Sequence, residues 1–191
     1  RASFASVSLK SATASGGGVT VDGSTVTITS AGTYRLAGSL TGQVIVNADS
    51  QDVKLILNGV ELTNPSGSPM VVTAADEVTL ILAGGTENTI SDADTYADTS
   101  SEAPSSAVDS ASDLSIAGNG SLSVTGNNND AINSADGLVI AGGNVTVKAA
   151  DDGIRGKDYV IVSGGTVNVE ATGDGIKSDN ETNDDSSSNL G

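Results

Sequence analysis

The sequence predicts an all-β protein that folds as a single parallel β-helix, a solenoid of about six to seven coils of about 22 residues each. Three observations predict this fold: a repeat with a constant step, short segments of alternating apolar residues, and glycine pairs at corners. Aromatic residues make up only 2% of the 191 residues. The core must therefore be filled by Val, Ile, Leu and Ala, which suits thin and regular layers.

The repeat is clearest in the second half of the chain. The triplets Asp-Ala-Ile at Asp130, Asp-Gly-Ile at Asp152 and Asp-Gly-Ile at Asp174 follow one another at a constant step. The same step relates further pairs, which are Leu138 and Val160, Ile140 and Val162, Val145 and Val167, and Val147 and Val169. Segments upstream follow the same template more loosely. A unit of this length cannot bury an apolar face alone, so we expect the units to stack. The rival leucine-rich repeat lacks its LxxLxLxxN signature.

We expect one domain with three parts. Residues 1–18 form an N-terminal segment or cap, and residues 19–180 form the parallel β-helix. Residues 91–104 interrupt the repeat and are expected to form a loop insertion, and residues 181–191 are expected to be an acidic, flexible tail.

Composition excludes several kinds of site and partner. The chain has no Cys and no His, which excludes disulfides, zinc–thiolate sites and Ser-His-Asp triads. No run of 18 apolar residues exists, so we expect no membrane insertion. The net charge is −16, and residues 91–191 carry 17 acidic and only 4 basic side chains. Such a surface repels nucleic acid, so we expect no nucleic-acid partner, and we expect a monomer.

The periodic aspartates predict a calcium site. Asp130, Asp152 and Asp174 are expected to stack at the strand spacing of roughly 4.8 Å, with Asp151 beside them. Two carboxylates at that distance repel each other by roughly 1 kcal/mol in water, which a cation would relieve. Calcium–oxygen bonds of about 2.3–2.6 Å allow one ion between two such carboxylates, and ligation by oxygen alone favours calcium over transition metals. The alternative is that the stacked side chains only cap corners by bonding to neighbouring amides.

Basic residues accompany this column. Asn133, Arg155 and Lys177 recur at the same step as the aspartates, and Lys157 lies nearby. They either balance the local negative charge or, together with calcium, hold an anionic ligand. The candidate ligand-binding residues are therefore Arg155, Lys157 and Lys177.

Several segments resemble a known family. They are "AGTYRLAGSL", "VKLILNGVELTN", "ADEVTLILAGGTENTISD", "DDGIRGKD" and "GDGIKSDN". They resemble the carbohydrate-binding β-helix proteins of cellulolytic clostridia and related microbes, over roughly residues 30–180. The resemblance implies a right-handed parallel β-helix akin to polysaccharide lyases, bound calcium, export to the cell surface, and binding to acidic polysaccharide and cellulose. Its "DD" and "GD" motifs place calcium ligation on Asp151, Asp152 and Asp174, and "NND" adds Asp130.

Three classes of function remain open at the level of sequence. The first is a non-catalytic, calcium-dependent, secreted binding module for acidic plant cell-wall polysaccharide, that is polygalacturonate or pectin, with cellulose implied by the resemblance alone. The second is a calcium-dependent pectate lyase in which Lys177 or Lys157 abstracts a proton. The third is a surface adhesion or structural protein. We expect the first, because only three basic residues are available to hold uronate carboxylates in a lyase.

Overall fold

The computed structural model describes residues 5–11, 13–15 and 17–180, and these form two β-sheets. The predicted all-β class is confirmed. A short 3-10 helix, Leu9–Ser11, is the one helical element in this part of the chain, and no helix in it is long and apolar enough to cross a membrane. The predicted tail 181–191 lies outside the described residues.

The first sheet has 12 strands among the described residues. These are β1 (Ala5–Ser8), β2 (Thr13–Ser15), β5 (Gly32–Thr41), β7 (Val53–Thr63), β9 (Glu77–Leu82), β10 (Glu87–Ser91), β12 (Asp113–Gly118), β13 (Ser121–Gly126), β15 (Gly137–Ile140), β16 (Asn144–Ala149), β18 (Tyr159–Val162) and β19 (Thr166–Ala171).

The second sheet has 8 strands in the same part of the chain. These are β3 (Val19–Asp22), β4 (Thr25–Ile28), β6 (Gln43–Asn47), β8 (Met70–Ala74), β11 (Ser106–Ser110), β14 (Asp130–Ser134), β17 (Ile154–Gly156) and β20 (Ile176–Ser178). Their order in the sheet is β20-β17-β14-β11-β8-β6-β4-β3.

The prediction of a single right-handed parallel β-helix of about six to seven coils of about 22 residues each is wrong. The strands form two sheets of different size, and the larger one is organised about β7, whose 11 residues are the most of any described strand. The first part of β7 pairs with β9 and its second part with β10. Each sheet also contains an antiparallel pair, β1 with β2 and β3 with β4.

The sequence separation between register partners on neighbouring strands is not constant, and this is why the predicted solenoid does not form. Val44 pairs with Met70, and Met70 in turn pairs with Val108, so the second step along the chain is much longer than the first. In the second sheet, register partners are separated by the same number of residues as the periodic aspartates only from Ile132 and Ile154 onwards. The same separation recurs where Ile154 pairs with Ile176. Connections between strands lie at the surface and tolerate insertions, so the paired segments stay in register while the step varies. The strict repeat of the last units does not extend to the whole chain.

Alternation along the strands builds the core. In β9 and β16 every second side chain is buried, as expected for strands with one face against the core. Apolar residues are register partners from strand to strand: Leu55 with Leu80, Leu80 with Ile116, and Ile116 with Ile140. All four have an exposed fraction of 0%. Burial of each such side chain contributes roughly 1.5–3 kcal/mol.

Glycine is required at the corner between β15 and β16 and again between β18 and β19. Gly143 and Gly165 adopt φ angles of 89° and 82°. A residue with a Cβ is strained in this left-handed region, so the corners predicted from the paired glycines depend on glycine itself. These corners connect β15 to β16 and β18 to β19 within the first sheet, and from β16 and β19 the chain continues to β17 and β20 of the second sheet.

Candidate functional site

The periodic aspartates lie at matching positions, at or just before the first residues of β14, β17 and β20 in the second sheet. Asp130, Asp152 and Asp174 each stand two residues before an isoleucine, and these isoleucines are register partners across β14, β17 and β20. The backbone N–H of Asp152 donates to Oδ1 of Asp130 over 3.1 Å. The backbone N–H of Asp174 donates to Oδ1 of Asp152 over 2.8 Å. One oxygen of Asp130 and one of Asp152 therefore cap the backbone of the next unit.

Asp151 adds an exposed carboxylate beside this column. Oδ1 of Asp151 and Oδ1 of Asp152 each lie 2.5 Å from the point where a Cβ on Gly173 would stand. The two oxygens are therefore no more than twice that distance apart, and glycine at 173 avoids the clash that a Cβ would make with both of them. Two carboxylate oxygens at such a separation are within the reach of one calcium ion, whose bonds to oxygen are about 2.3–2.6 Å.

The aspartates by themselves do not form a complete metal cage. Among the described residues 5–11, 13–15 and 17–180, no group of three acidic side chains is close enough to hold a metal ion. The available donors are nonetheless carboxylate oxygens, which hard cations prefer. The residues thus fit a calcium ion in donor chemistry, with Asp151 and Asp152 as its protein ligands, and the remaining positions of its shell would need oxygens from elsewhere.

Two of the three basic candidates are paired with aspartates. Nζ of Lys177 lies 3.2 Å from Oδ2 of Asp152 and 3.7 Å from Oδ1 of Asp179. The guanidinium of Arg155 binds the same Asp179 through two nitrogens. Lys157 is exposed, and its amine has no ion pair with any residue that the structure describes. Lys157 is therefore the basic candidate that is free to contact a ligand without breaking an internal pair.

Protonation equilibria differ along the column. Burial raises the pKa of Asp130 above its ordinary value, against the opposing hydrogen bond from the Asp152 amide. Burial also acts to raise the pKa of Asp152, but hydrogen bonds from Asp174 and Lys177 and the positive charges of Lys177 and Arg155 outweigh it, so that this pKa is lowered. The Asp152 carboxylate in turn raises the pKa of Lys177. The pair of Asp152 and Lys177 is therefore ionised at neutral pH.

A second polar cluster was not predicted from the sequence. Asp92 and Tyr96 are each only 7% exposed, and the Tyr96 hydroxyl donates to Oδ2 of Asp92 over 2.6 Å. Oδ1 of Asp92 accepts the backbone N–H of Asn127, and the Ser68 hydroxyl lies 3.4 Å from that of Tyr96. These contacts fasten residues 92–105, which connect β10 to β11, onto the sheets. Residues 92–105 carry no repeat signal. A tyrosine in a chain with so few aromatic residues was the one feature of the sequence that could have pointed to this cluster.

Three comparisons place the chain among known proteins. A family model described as "Carbohydrate-binding domain-containing protein" matches residues 22–189. A protein of the same description from Acetivibrio thermocellus is 37% identical over 136 residues, which are 69% of this chain and 48% of that protein. A solved structure, the gadolinium derivative of the polysaccharide lyase-like protein from C. thermocellum, matches with a TM-score of 0.88 and 34% identity over 93% of this chain and 74% of that one.

The two sheets thus define a domain with a polysaccharide lyase-like fold. The chain belongs to the family of carbohydrate-binding domain-containing proteins. It spans about half the length of the curated relative that it matches. The carbohydrate-binding family predicted by resemblance is confirmed, and the family's description as a binding domain agrees with the prediction that the chain is not an enzyme.

Proposed function

We propose that this chain is a non-catalytic module that binds acidic polysaccharide with the help of calcium, at the edge formed by Asp130, Asp151, Asp152 and Asp174. We refer to these four residues as the aspartate edge. The observation that carries the proposal is the approach of Oδ1 of Asp151 and Oδ1 of Asp152 to the same side of Gly173, which places the two oxygens close enough to share one cation. We further propose that the module acts as a monomer at the extracellular cell surface.

Charge explains why a cation is needed. The chain carries a net charge of −16, so a polyuronate would be repelled by most of its surface. Calcium held by Asp151 and Asp152 would supply positive charge at the point where the acidic ligand approaches. The solved relative is described as a gadolinium derivative, and hard cations of this kind prefer oxygen ligands, which supports the assignment.

The protein's own cations have separate tasks in this proposal. Lys157 would contact a uronate carboxylate directly, because its amine has no ion pair within the described part of the chain. Arg155 and Lys177 hold Asp179 and Asp152 and so position the edge. They would bind ligand only by exchanging an internal carboxylate for a uronate, which has the same charge and geometry.

The test is a binding titration with polygalacturonate in calcium and again in a chelator. We expect binding in calcium, loss of binding in chelator, and weaker binding of methyl-esterified pectin, because esterification removes the charged oxygens that a cation binds. Asp151→Asn should weaken binding by roughly tenfold or more, the equivalent of about 1.4 kcal/mol. Asp94→Asn is the matched control, since Asp94 is an exposed aspartate outside the edge.

Equal binding in calcium and in chelator would refute the role of calcium. Equal binding of esterified and free polymer would refute recognition of the uronate charge. The same incubations, followed by ultraviolet absorbance for unsaturated products, test the lyase alternative: release of such products by the wild-type chain would contradict a non-catalytic module.

A further inference from the structure

We infer that a cleft between residues 92–105 and the second sheet is a binding site for a neutral saccharide unit. We call it the insertion cleft. Its volume is about 400 Å³, and its lining includes Gln43, Asn64, Ser66, Thr73, Asp98 and Pro104. This volume lies within the roughly 300–1,000 Å³ of small-molecule sites. None of the lining residues belongs to the aspartate edge, so the inference goes beyond the proposed function.

The floor of the cleft is the outer face of the second sheet. Along β6 and β8, Gln43, Ile45 and Thr73 face away from the core. Their strand neighbours Val44, Val46 and Val72 are buried in it. Ile45 is the register partner of Val71, so two branched apolar side chains lie next to each other on this face. Val71 is only 5% exposed, so the apolar surface offered to the C–H face of a sugar ring comes mainly from Ile45 and Pro104.

The polar wall of the cleft is held in place by hydrogen bonds. The Ser68 carbonyl accepts both the Gln43 and the Asn64 side-chain amides over 2.9 Å. Oδ1 of Asn64 accepts the backbone N–H of Ser66 over 3.1 Å. On the opposite side of the cleft, the Tyr96 hydroxyl is held by its hydrogen bond to Asp92, within residues 92–105. A wall fixed before binding loses little conformational freedom when a ligand arrives.

The groups left over are mainly acceptors. Gln43 uses its amide nitrogen for Ser68, and its amide oxygen has no hydrogen bond to any described residue. The hydroxyls of Ser66 and Thr73 donate to Asn64 and to the Val46 carbonyl, which leaves their oxygen lone pairs as acceptors. A cleft rich in acceptors suits a ligand with many O–H donors, and a sugar is such a ligand.

Charge selects a neutral sugar over a uronate. Among the residues that the structure describes, no Lys or Arg lines the cleft. Hydrogen bonds from Ser100 lower the pKa of Asp98, so this lining carboxylate stays ionised at neutral pH. A uronate would meet a like charge here without a cation to balance it, whereas a neutral pyranose can donate a hydroxyl to the same carboxylate.

The experiment is calorimetric titration of the full chain with cellohexaose, xylohexaose, mannohexaose and hexagalacturonate, all in chelator. We expect at least one neutral hexasaccharide to bind and hexagalacturonate not to bind. Gln43→Ala should weaken that binding by roughly tenfold. Asn47→Ala, an exposed polar residue on the same strand, should leave it unchanged.

A second variant separates loss of the site from loss of the fold. Gly67 lines the cleft, and a Cβ there would meet only the Asn64 amide at 3.8 Å, an ordinary contact. Gly67→Phe should therefore fold and obstruct the cleft, whereas Gly84→Phe, in open space elsewhere, should bind like wild type. The inference is overturned if no neutral hexasaccharide binds, if Gly67→Phe binds normally, or if hexagalacturonate binds as tightly as the neutral sugars. Each of these results leaves the calcium-dependent binding of polygalacturonate to be judged separately.

Discussion

The ammonium group of Lys177 lies 3.2 Å from Oδ2 of Asp152, on the neighbouring unit of the second sheet. The other oxygen of the same carboxylate accepts the backbone N–H of Asp174 over 2.8 Å. Asp152 therefore joins two successive units through both of its oxygens. Any cation that binds at Asp152 must share these oxygens with the contacts that hold the edge together.

Removal of Asp152 should destabilise the fold. Asp152→Ala leaves the Asp174 amide without its acceptor and Lys177 without its nearest partner, and we expect a loss of about 1 to 2 kcal/mol in the free energy of unfolding. Asp22→Ala, at an exposed position, should change it by no more than about 0.5 kcal/mol. Urea unfolding measures both. Part of this loss in the free energy of unfolding comes from the negative charge of Asp152. That part should disappear as the pH falls through the lowered pKa of Asp152. Equal losses for the two variants would contradict the structural role of Asp152.

The buried carboxyl of Asp92 should make stability depend on pH. Burial raises its pKa above the ordinary value of 3.8, so the folded protein keeps a proton that the unfolded chain has already lost. The contribution of Asp92 to the free energy of unfolding must therefore fall as the pH rises from 3.8 towards the raised value. Asp92→Asn cannot lose this proton, so its stability relative to wild type should increase across that window. Urea unfolding at a series of pH values tests this, and Asp94→Asn should keep the wild-type dependence.

Loss of the Tyr96 hydroxyl should destabilise the fold more than loss of the Tyr159 hydroxyl. Tyr96→Phe removes a donor from the buried Asp92 carboxylate, and we expect a loss of about 1 to 3 kcal/mol in the free energy of unfolding. Tyr159→Phe is the control, because the Tyr159 hydroxyl makes a longer contact of 3.5 Å with Asp113 in a less buried position. Denaturation midpoints would decide the matter; equal shifts would show that Asp92 does not depend on this hydrogen bond.

Truncation of Ile154 should lower the free energy of unfolding far more than truncation of Ile176, its counterpart in the next unit of the repeat. Ile154 is fully buried, whereas its register partner Ile176 is 48% exposed. Ile154→Ala should cost about 2 to 5 kcal/mol, as deletion of a core side chain does. Ile176→Ala should cost about 1 kcal/mol or less, because roughly half of its side chain is already in water. Thermal unfolding of both variants provides the comparison, and similar costs would mean that Ile176 is covered in solution.

Periodicity alone determined the register of the last units. The constant step of the repeat predicted that Leu138 pairs with Val160 and Val147 with Val169, and both pairs are confirmed. It also placed Asp130, Asp152 and Asp174 at matching positions. These features follow from the sequence because a strand has a side-chain period of two, so that a slip of one residue would expose the whole apolar set.

Only the tertiary structure decided how the sheets are built and where the charges are paired. The long β7 joins two rows of strands in one sheet, and no local pattern indicated that its two parts pair with β9 and β10. Arg155 and Lys177 find partners in Asp179 and Asp152, and Tyr96 reaches Ser68, 28 residues away in the chain. The contact of Tyr96 with Ser68 depends on the path of residues 92–105, which carry no periodic signal because they lie outside the paired strands. Arg155 and Lys177 do lie at periodic positions in β17 and β20, but the backbone period does not fix which carboxylate each long side chain reaches.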